Sequence, residues 1–216
     1  GPISVAAYTY MALVPLIQPP VIMAITTKKE RMIKMPPSYK VVTQRSLIMF
    51  PIIVTMIGGV IAPASISLLG FLMFGNLLRV SGVTERLSQA AQNELANIVT
   101  ILLGFSISAT MTAEKFVNIS TLAIIGMGLV AFVLDTVGGV FTAKLVNLFL
   151  PKDKKINPMI GAAGISAFPM SARTIQKMGQ KADPSNFLLM HAIGANVAGQ
   201  IGSVLAGGVL LAYLGG

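Results

Sequence analysis

Apolar residues in this chain gather in long runs without the odd–even alternation of a half-buried strand, so the repeating unit they predict is a helix. The first run extends from Pro2 to Thr27 and is interrupted by Pro15 and by the Pro19–Pro20 pair. A second, Leu47–Ala62, is turned at Pro63 into a third, Ser65–Leu78. An amphipathic lead, Leu87–Ala96, feeds a fourth, Asn97–Thr112, and a fifth reaches from Ser120 to about Leu150. The sixth, Asn157–Ala172, is short and broken, and the seventh is Asn186–Leu214. A helix needs ~20 apolar residues to cross a bilayer. The pattern therefore predicts an all-α polytopic membrane protein, one transmembrane domain over 1–216, with six to seven segments of which one is broken or re-entrant.

Composition agrees. Of 216 residues 54% are hydrophobic and 11% charged, against about 25% charged in a soluble domain. The 21 glycines are of use in a bilayer, where small residues let helices approach closely. The net charge of +9 does not indicate nucleic acid, because the basic residues lie in short connections and do not alternate with aromatics. Six of them (Lys28, Lys29, Arg31, Lys34, Lys40, Arg45) face Glu30 alone in the loop at 28–45, and Lys144, Lys152, Lys154 and Lys155 face Asp153 at 144–155. Both loops should be cytoplasmic, and the neutral pair Glu114–Lys115 external. Arg173, Lys177 and Lys181 against Asp183 also ask for the cytoplasm, yet a full crossing by Asn157–Ala172 would put them outside. A re-entrant segment removes the conflict. There is no cysteine and one histidine, which leaves no zinc-type cluster. The chain opens without methionine inside an apolar run, from which a truncation or processed start is expected.

The stretch with chemical content is Asn157-Pro-Met-Ile-Gly-Ala-Ala-Gly-Ile-Ser-Ala-Phe-Pro-Met-Ser-Ala-Arg173. Pro158 and Pro169 each lack a backbone donor, and in a helix Pro169 would strand the Ile165 carbonyl. Irregular backbone at membrane depth survives only where protein or a watery cavity satisfies it. Freed carbonyls with the oxygens of Asn157 and Ser166 make a hard-oxygen cage of the kind that alkali cations accept in broken-helix transporters. Arg173 offers a planar fork for a carboxylate. The plainer reading is that the strip only packs and that Arg173 snorkels to the interface.

This run resembles the signature of the β subunits of sodium-translocating, biotin-dependent decarboxylases acting on oxaloacetate, methylmalonyl-CoA or glutaconyl-CoA. The blocks Ala6-Ala-Tyr-Thr-Tyr-Met-Ala-Leu-Val-Pro-Leu-Ile-Gln-Pro-Pro20, Thr27-Lys-Lys-Glu-Arg31 and Asn186-Phe-Leu-Leu-Met-His-Ala-Ile-Gly-Ala-Asn-Val-Ala-Gly199 resemble the same family. The resemblance implies the carboxyl-terminal half of such a subunit, one half of an inverted-repeat fold, in the bacterial cytoplasmic membrane. It implies export of Na⁺ coupled to decarboxylation of carboxybiotin, with uptake of a proton. By it, Asn157, Ser166 and Asn196 with backbone near Gly161 would bind Na⁺, and Arg173, Ser166 and Tyr10 (Tyr8 less favoured) would be catalytic. Its partners would be a biotin-carrying α (carboxyltransferase) subunit and a small γ-type membrane subunit in an oligomeric complex. The family's membrane aspartate lies in an Asp-Gly-Pro segment that this chain lacks; Asp135 stands in another context, Leu134-Asp-Thr-Val-Gly-Gly139. It reads as a bundle-facing residue, paired to a neighbour or carried neutral. The rival functions are a Na⁺-coupled secondary transporter without chemistry and a purely structural membrane subunit.

Overall fold

The computed structural model describes residues 2–36, 42–110, 112, 119–165 and 167–214. Every regular element among them is helical. Four stretches are long and apolar enough to cross a membrane: Gln44–Ile61, Pro63–Val80, Ile119–Phe149 and Leu189–Leu214. Their large side chains point outward, among them Leu68, Phe71, Leu148 and Phe149 at 67%, 77%, 77% and 83% exposure. Water would penalise such a surface, whereas acyl chains do not.

The chain divides into two compact units. The first holds residues 1–37 and 107–200. Its helices are α1 (Pro2–Ile25), the single turn α2 (Lys28–Arg31), the long α7 (Ile119–Phe149), α8 (Met170–Ala182) and the first half of α9 (Leu189–Leu214). The prolines of the first run do not interrupt it as the sequence suggests: α1 is helical through Pro15, Pro19 and Pro20. Proline's fixed φ is compatible with a helix, and only the missing donor and the ring clash with the preceding turn must be absorbed. Neighbouring helices do this inside a membrane protein, and here α1 packs along α7. The core is formed by Ile22, Val140, Met159, Ile160, Ala162, Ala163, Ala172, Ile175, Leu188 and Ala192. Five of these come from the strip 157–173, so the broken element is the centre of the unit.

The second unit holds 38–106 and 201–216. Helices α3 (Gln44–Ile61) and α4 (Ile66–Val80) form a hairpin turned by a 3₁₀ turn at Pro63–Ser65. Gly58 sits against Leu69 and Leu205, and Gly208 against Ser65 and Ala62, so the end of α9 fits the hairpin at its glycines. The amphipathic lead appears as α5 (Glu85–Ala90), which passes through a π-helical stretch, Ala91–Leu95, into α6 (Ala96–Thr110). The neutral loop Glu114–Lys115 lies outside the described residues.

Candidate functional site

The strip between α7 and α8 begins with a turn that Asn147 holds in place. Its side-chain amide donates to the Ile156 carbonyl (2.7 Å) and its oxygen accepts from the Ile156 N–H (2.8 Å). Asn157 then caps a short 3₁₀ helix, Pro158–Ala163, by accepting from the Met159 N–H at 3.1 Å. Gly164, Ile165 and residues 167–169 belong to no helix, and α8 starts at Met170. Residues 157–169 are thus no continuous α-helix.

Close backbone packing explains where the glycines fall. A Cβ built on Gly139 of α7 would overlap the Gly161 carbonyl, and one built on Gly161 would overlap the Gly139 carbonyl. Gly199 of α9 meets the Gly164 carbonyl in the same way. Two helices are therefore seated directly on the strip's main chain, at a distance only residues without a side chain permit.

The start of the strip and the residue that follows α8 meet at one place. Asn157 is fully buried and its Nδ2 donates to the carbonyls of Arg31 and Ile33, both at 2.9 Å. Asn186, just after α8, donates to the same two carbonyls at 3.3 and 3.2 Å. Nearby, Lys34 pairs with Asp183 (3.0 Å) and Lys144 with Glu30 (2.9 Å). Hydrogen bonds from Ser185 and Lys34 hold the Asp183 carboxyl down to about 2. Burial raises the Glu30 carboxyl, but hydrogen bonds from the Thr27 backbone and Lys144 outweigh it and leave it below the ordinary value. The turn after α1, the end of α7, the start of the strip and the end of α8 therefore share one polar end of the unit.

Asn196 of α9 is also fully buried, and its Nδ2 donates to the Ile165 carbonyl at 2.6 Å. That carbonyl is the one Pro169 would strand in a helix. The Asn196 Oδ1 is buried without a hydrogen-bond partner among the described residues, as is the Oδ1 of Asn186. Tyr10 donates to the Ile125 carbonyl and rests on Gly128. It lines a cavity of about 490 Å³ with Asp135, Ile165 and Ala167. Asp135 also lines a second cavity, of about 410 Å³, with Gly139, Gly161, Gly164 and Gly199. It is exposed in this chain and no partner among the described residues reaches its carboxylate, so of the two expected alternatives the pairing to a neighbour is not made among them.

Arg173 lies on the exposed face of α8 with Lys177 and Lys181, one turn apart each, while Ser171, Ala172, Thr174, Ile175 and Gly179 face inward. The side chain of Tyr8 and residue Ser166 lie outside the described residues. Of the expected site residues, Tyr10, Gly161 and Asn196 gather around the strip's irregular part. The polar atoms of Asn157 are instead bonded to the 31–35 turn and to Met159. The sequence reading passed over Gln18 and Ser171, both fully buried: Gln18 Nε2 donates to the Ala162 carbonyl at 2.9 Å, and the Ser171 hydroxyl lies 3.0 Å from both Gln18 Oε1 and that carbonyl. A single glutamine inside an apolar run was the available signal, since such a residue must find an internal partner.

Taken together these features define a helical membrane protein built around a discontinuous apolar strip that two asparagines fasten to one polar end. The chain belongs to the family of the Na⁺-transporting oxaloacetate decarboxylase beta subunit, whose model matches residues 1–214. It is 54% identical over its whole length to the methylmalonyl-CoA decarboxylase subunit beta of Propionigenium modestum, covering 54% of that protein. It is 53% identical to the oxaloacetate decarboxylase beta chain of Klebsiella pneumoniae, with 99% of this chain and 49% of that one aligned. To the glutaconyl-CoA decarboxylase subunit beta of Acidaminococcus fermentans it is 51% identical, with 100% and 57% aligned. The chain spans about half the length of the curated relatives it matches.

Proposed function

We propose that this chain is part of the membrane subunit of a decarboxylase that exports Na⁺ across a bacterial cytoplasmic membrane, driven by decarboxylation of carboxybiotin delivered by a partner. The observation that carries the reading is Asn196. Its fully buried amide oxygen has no partner among the described residues; such an oxygen costs on the order of 1–3 kcal/mol, and a cation beside the carbonyl-rich break would remove that cost. The chemistry of the donors present, amide and carbonyl oxygens with no thiolate or imidazole, suits a hard alkali ion. In this reading Asn196, Ser166 and the backbone at Gly161 bind Na⁺, and Asn157, whose amide is bonded to Arg31, Ile33 and Met159, fastens the strip instead of joining the ligand set the sequence suggests. Arg173 holds the guest's carboxylate in a two-pronged contact, and Tyr10 and Ser166 act on the proton taken up. Bound carboxybiotin would supply the free energy of carbon dioxide release; moving one charge against ~100 mV costs about 2.3 kcal/mol.

The membrane arrangement follows from the shared polar end. Helix α1 and the α5–α6 run cross with the four longer helices, making six crossings, and 157–186 enters and leaves on the cytoplasmic side. This half packs with an inverted partner half in the whole subunit, alongside a biotin-carrying α and a small γ-type subunit. A Lys177→Cys variant of the full subunit should react with a membrane-impermeant maleimide only from the side that labels Lys152→Cys. Labelling from the opposite side removes the re-entrant arrangement.

Arg173→Lys keeps the charge but loses the planar fork. Na⁺-dependent decarboxylation by the purified whole complex should fall at least tenfold, about 1.4 kcal/mol at the transition state. Activity within twofold of the parent would remove Arg173 as the carboxylate clamp, and an absence of Na⁺ dependence in the parent would remove the pump reading itself.

A further inference from the structure

One face of α7 carries a continuous stripe of cavity-lining residues. Gly128, Ala131 and Phe132 line the cavity shared with Tyr10; Gly139, Thr142 and Val146 line the cavity beside the strip. Spacings of three and four place these on one face. From 128 to 146 the stripe covers about 27 Å at 1.5 Å per residue, close to the ~30 Å thickness of a hydrocarbon core. Among the described residues Asp135 alone belongs to both sets. It stands at the middle of the 31-residue helix, one turn from the Gly139–Gly161 contact.

We propose that Asp135 is a sodium-binding carboxylate at the junction of these two cavities, a station through which the ion passes between the Tyr10 side and the glycine-lined side of the strip. The proposal rests on the pump reading above and adds a site to it. A carboxylate in mid-membrane without a cationic partner is costly, and the groups lining the two cavities with it are apolar, hydroxyl or backbone. Among the described residues no lysine or arginine lines either cavity, and a mobile cation would supply the counter-charge. Further oxygens line the route on the second-cavity side, Thr142 about 10 Å along the helix from Asp135 at 1.5 Å per residue. The Thr142 hydroxyl donates to Gly138 at 2.8 Å and keeps its lone pairs. Asn196, whose Oδ1 has no partner among the described residues, belongs to the same neighbourhood: its Nδ2 holds Ile165, which lines the first cavity, while Ala195 and Gly199 beside it line the second.

The test uses the complete complex in detergent with NaCl, LiCl or KCl as the probe. Two readouts are followed: the half-saturating Na⁺ concentration for decarboxylation, and the Na⁺-induced rise in thermal midpoint without any carboxylated carrier. Asp135→Asn is expected to raise half-saturation at least tenfold and to abolish most of the thermal response. Asp135→Glu, which advances the carboxylate by one methylene, should lower turnover less than Asp135→Asn does while shifting the Li⁺/Na⁺ preference at least threefold. The inference fails if Asp135→Asn stays within twofold of the parent in both readouts, or if it changes proton uptake per turnover with the Na⁺ response intact. Should Asp135→Asn not assemble, an unchanged ion preference in Asp135→Glu overturns the site. A parent complex that ignores Na⁺ would instead sink the pump reading on which this rests.

Discussion

Asn157→Asp in the full-length subunit is expected to abolish folding or turnover, and to be worse than Asn157→Ala. The wild-type amide gives both its hydrogens to the carbonyls of Arg31 and Ile33, and its oxygen receives the Met159 N–H. Alanine removes these bonds and strands buried partners at about 1–3 kcal/mol each; Asn186 still reaches the two carbonyls. Aspartate does more damage, because it aims a carboxylate at two carbonyl oxygens in a fully buried position. An uncompensated buried charge costs roughly 3–5 kcal/mol, a large part of any domain's stability. The measurements are the yield of monodisperse complex, its thermal midpoint, and Na⁺-dependent turnover. The opposite result would be informative: a folded Asn157→Asp complex with tighter Na⁺ half-saturation would make Asn157 an ion ligand first and a clamp second.

Adjacent glycines on α7 give the second large effect. Gly138→Ala should be silent, since a methyl there meets open space. Gly139→Ala should lower Na⁺-dependent turnover at least a hundredfold, and Gly161→Ala likewise. In each case the new methyl overlaps a carbonyl of the opposing main chain, which cannot swing aside as a side chain can. Overpacking costs ~1–3 kcal/mol or more, and relief by separating α7 from the strip would open the core around Val140, Met159 and Ile160. Comparable activity in Gly138→Ala and Gly139→Ala would mean that this contact is dispensable.

Much of this was legible in the residue order. Long apolar runs with few charges dictate helices in a bilayer, because no other open structure satisfies its own backbone there. The positions of Pro158, Gly161, Gly164 and Pro169 dictate that 157–169 cannot be one helix, and the basic residues of 173–181 dictate which side it prefers. The family resemblance was carried by the same residues, and it named Asn157, Gly161, Asn196 and Arg173 as candidates. Pro15, Pro19 and Pro20 misled in the other direction: a proline reports a missing donor, but whether the helix stops depends on what packs against it.

Tertiary structure decided the rest, because partners distant in sequence are invisible to local pattern. That Asn196 serves the carbonyl of Ile165, that Asn157 and Asn186 converge on Arg31 and Ile33, and that Gln18 meets Ser171 are matters of the chain's path through space. Asp135 shows the difference most plainly. Its surroundings in sequence are apolar and suggest only a residue hidden in a bundle, whereas the fold brings two cavities to it and no partner among the described residues. A helix's amino-acid order determines which face a side chain occupies; only the elements packed against that face determine whether it meets a counter-charge, a carbonyl or open space.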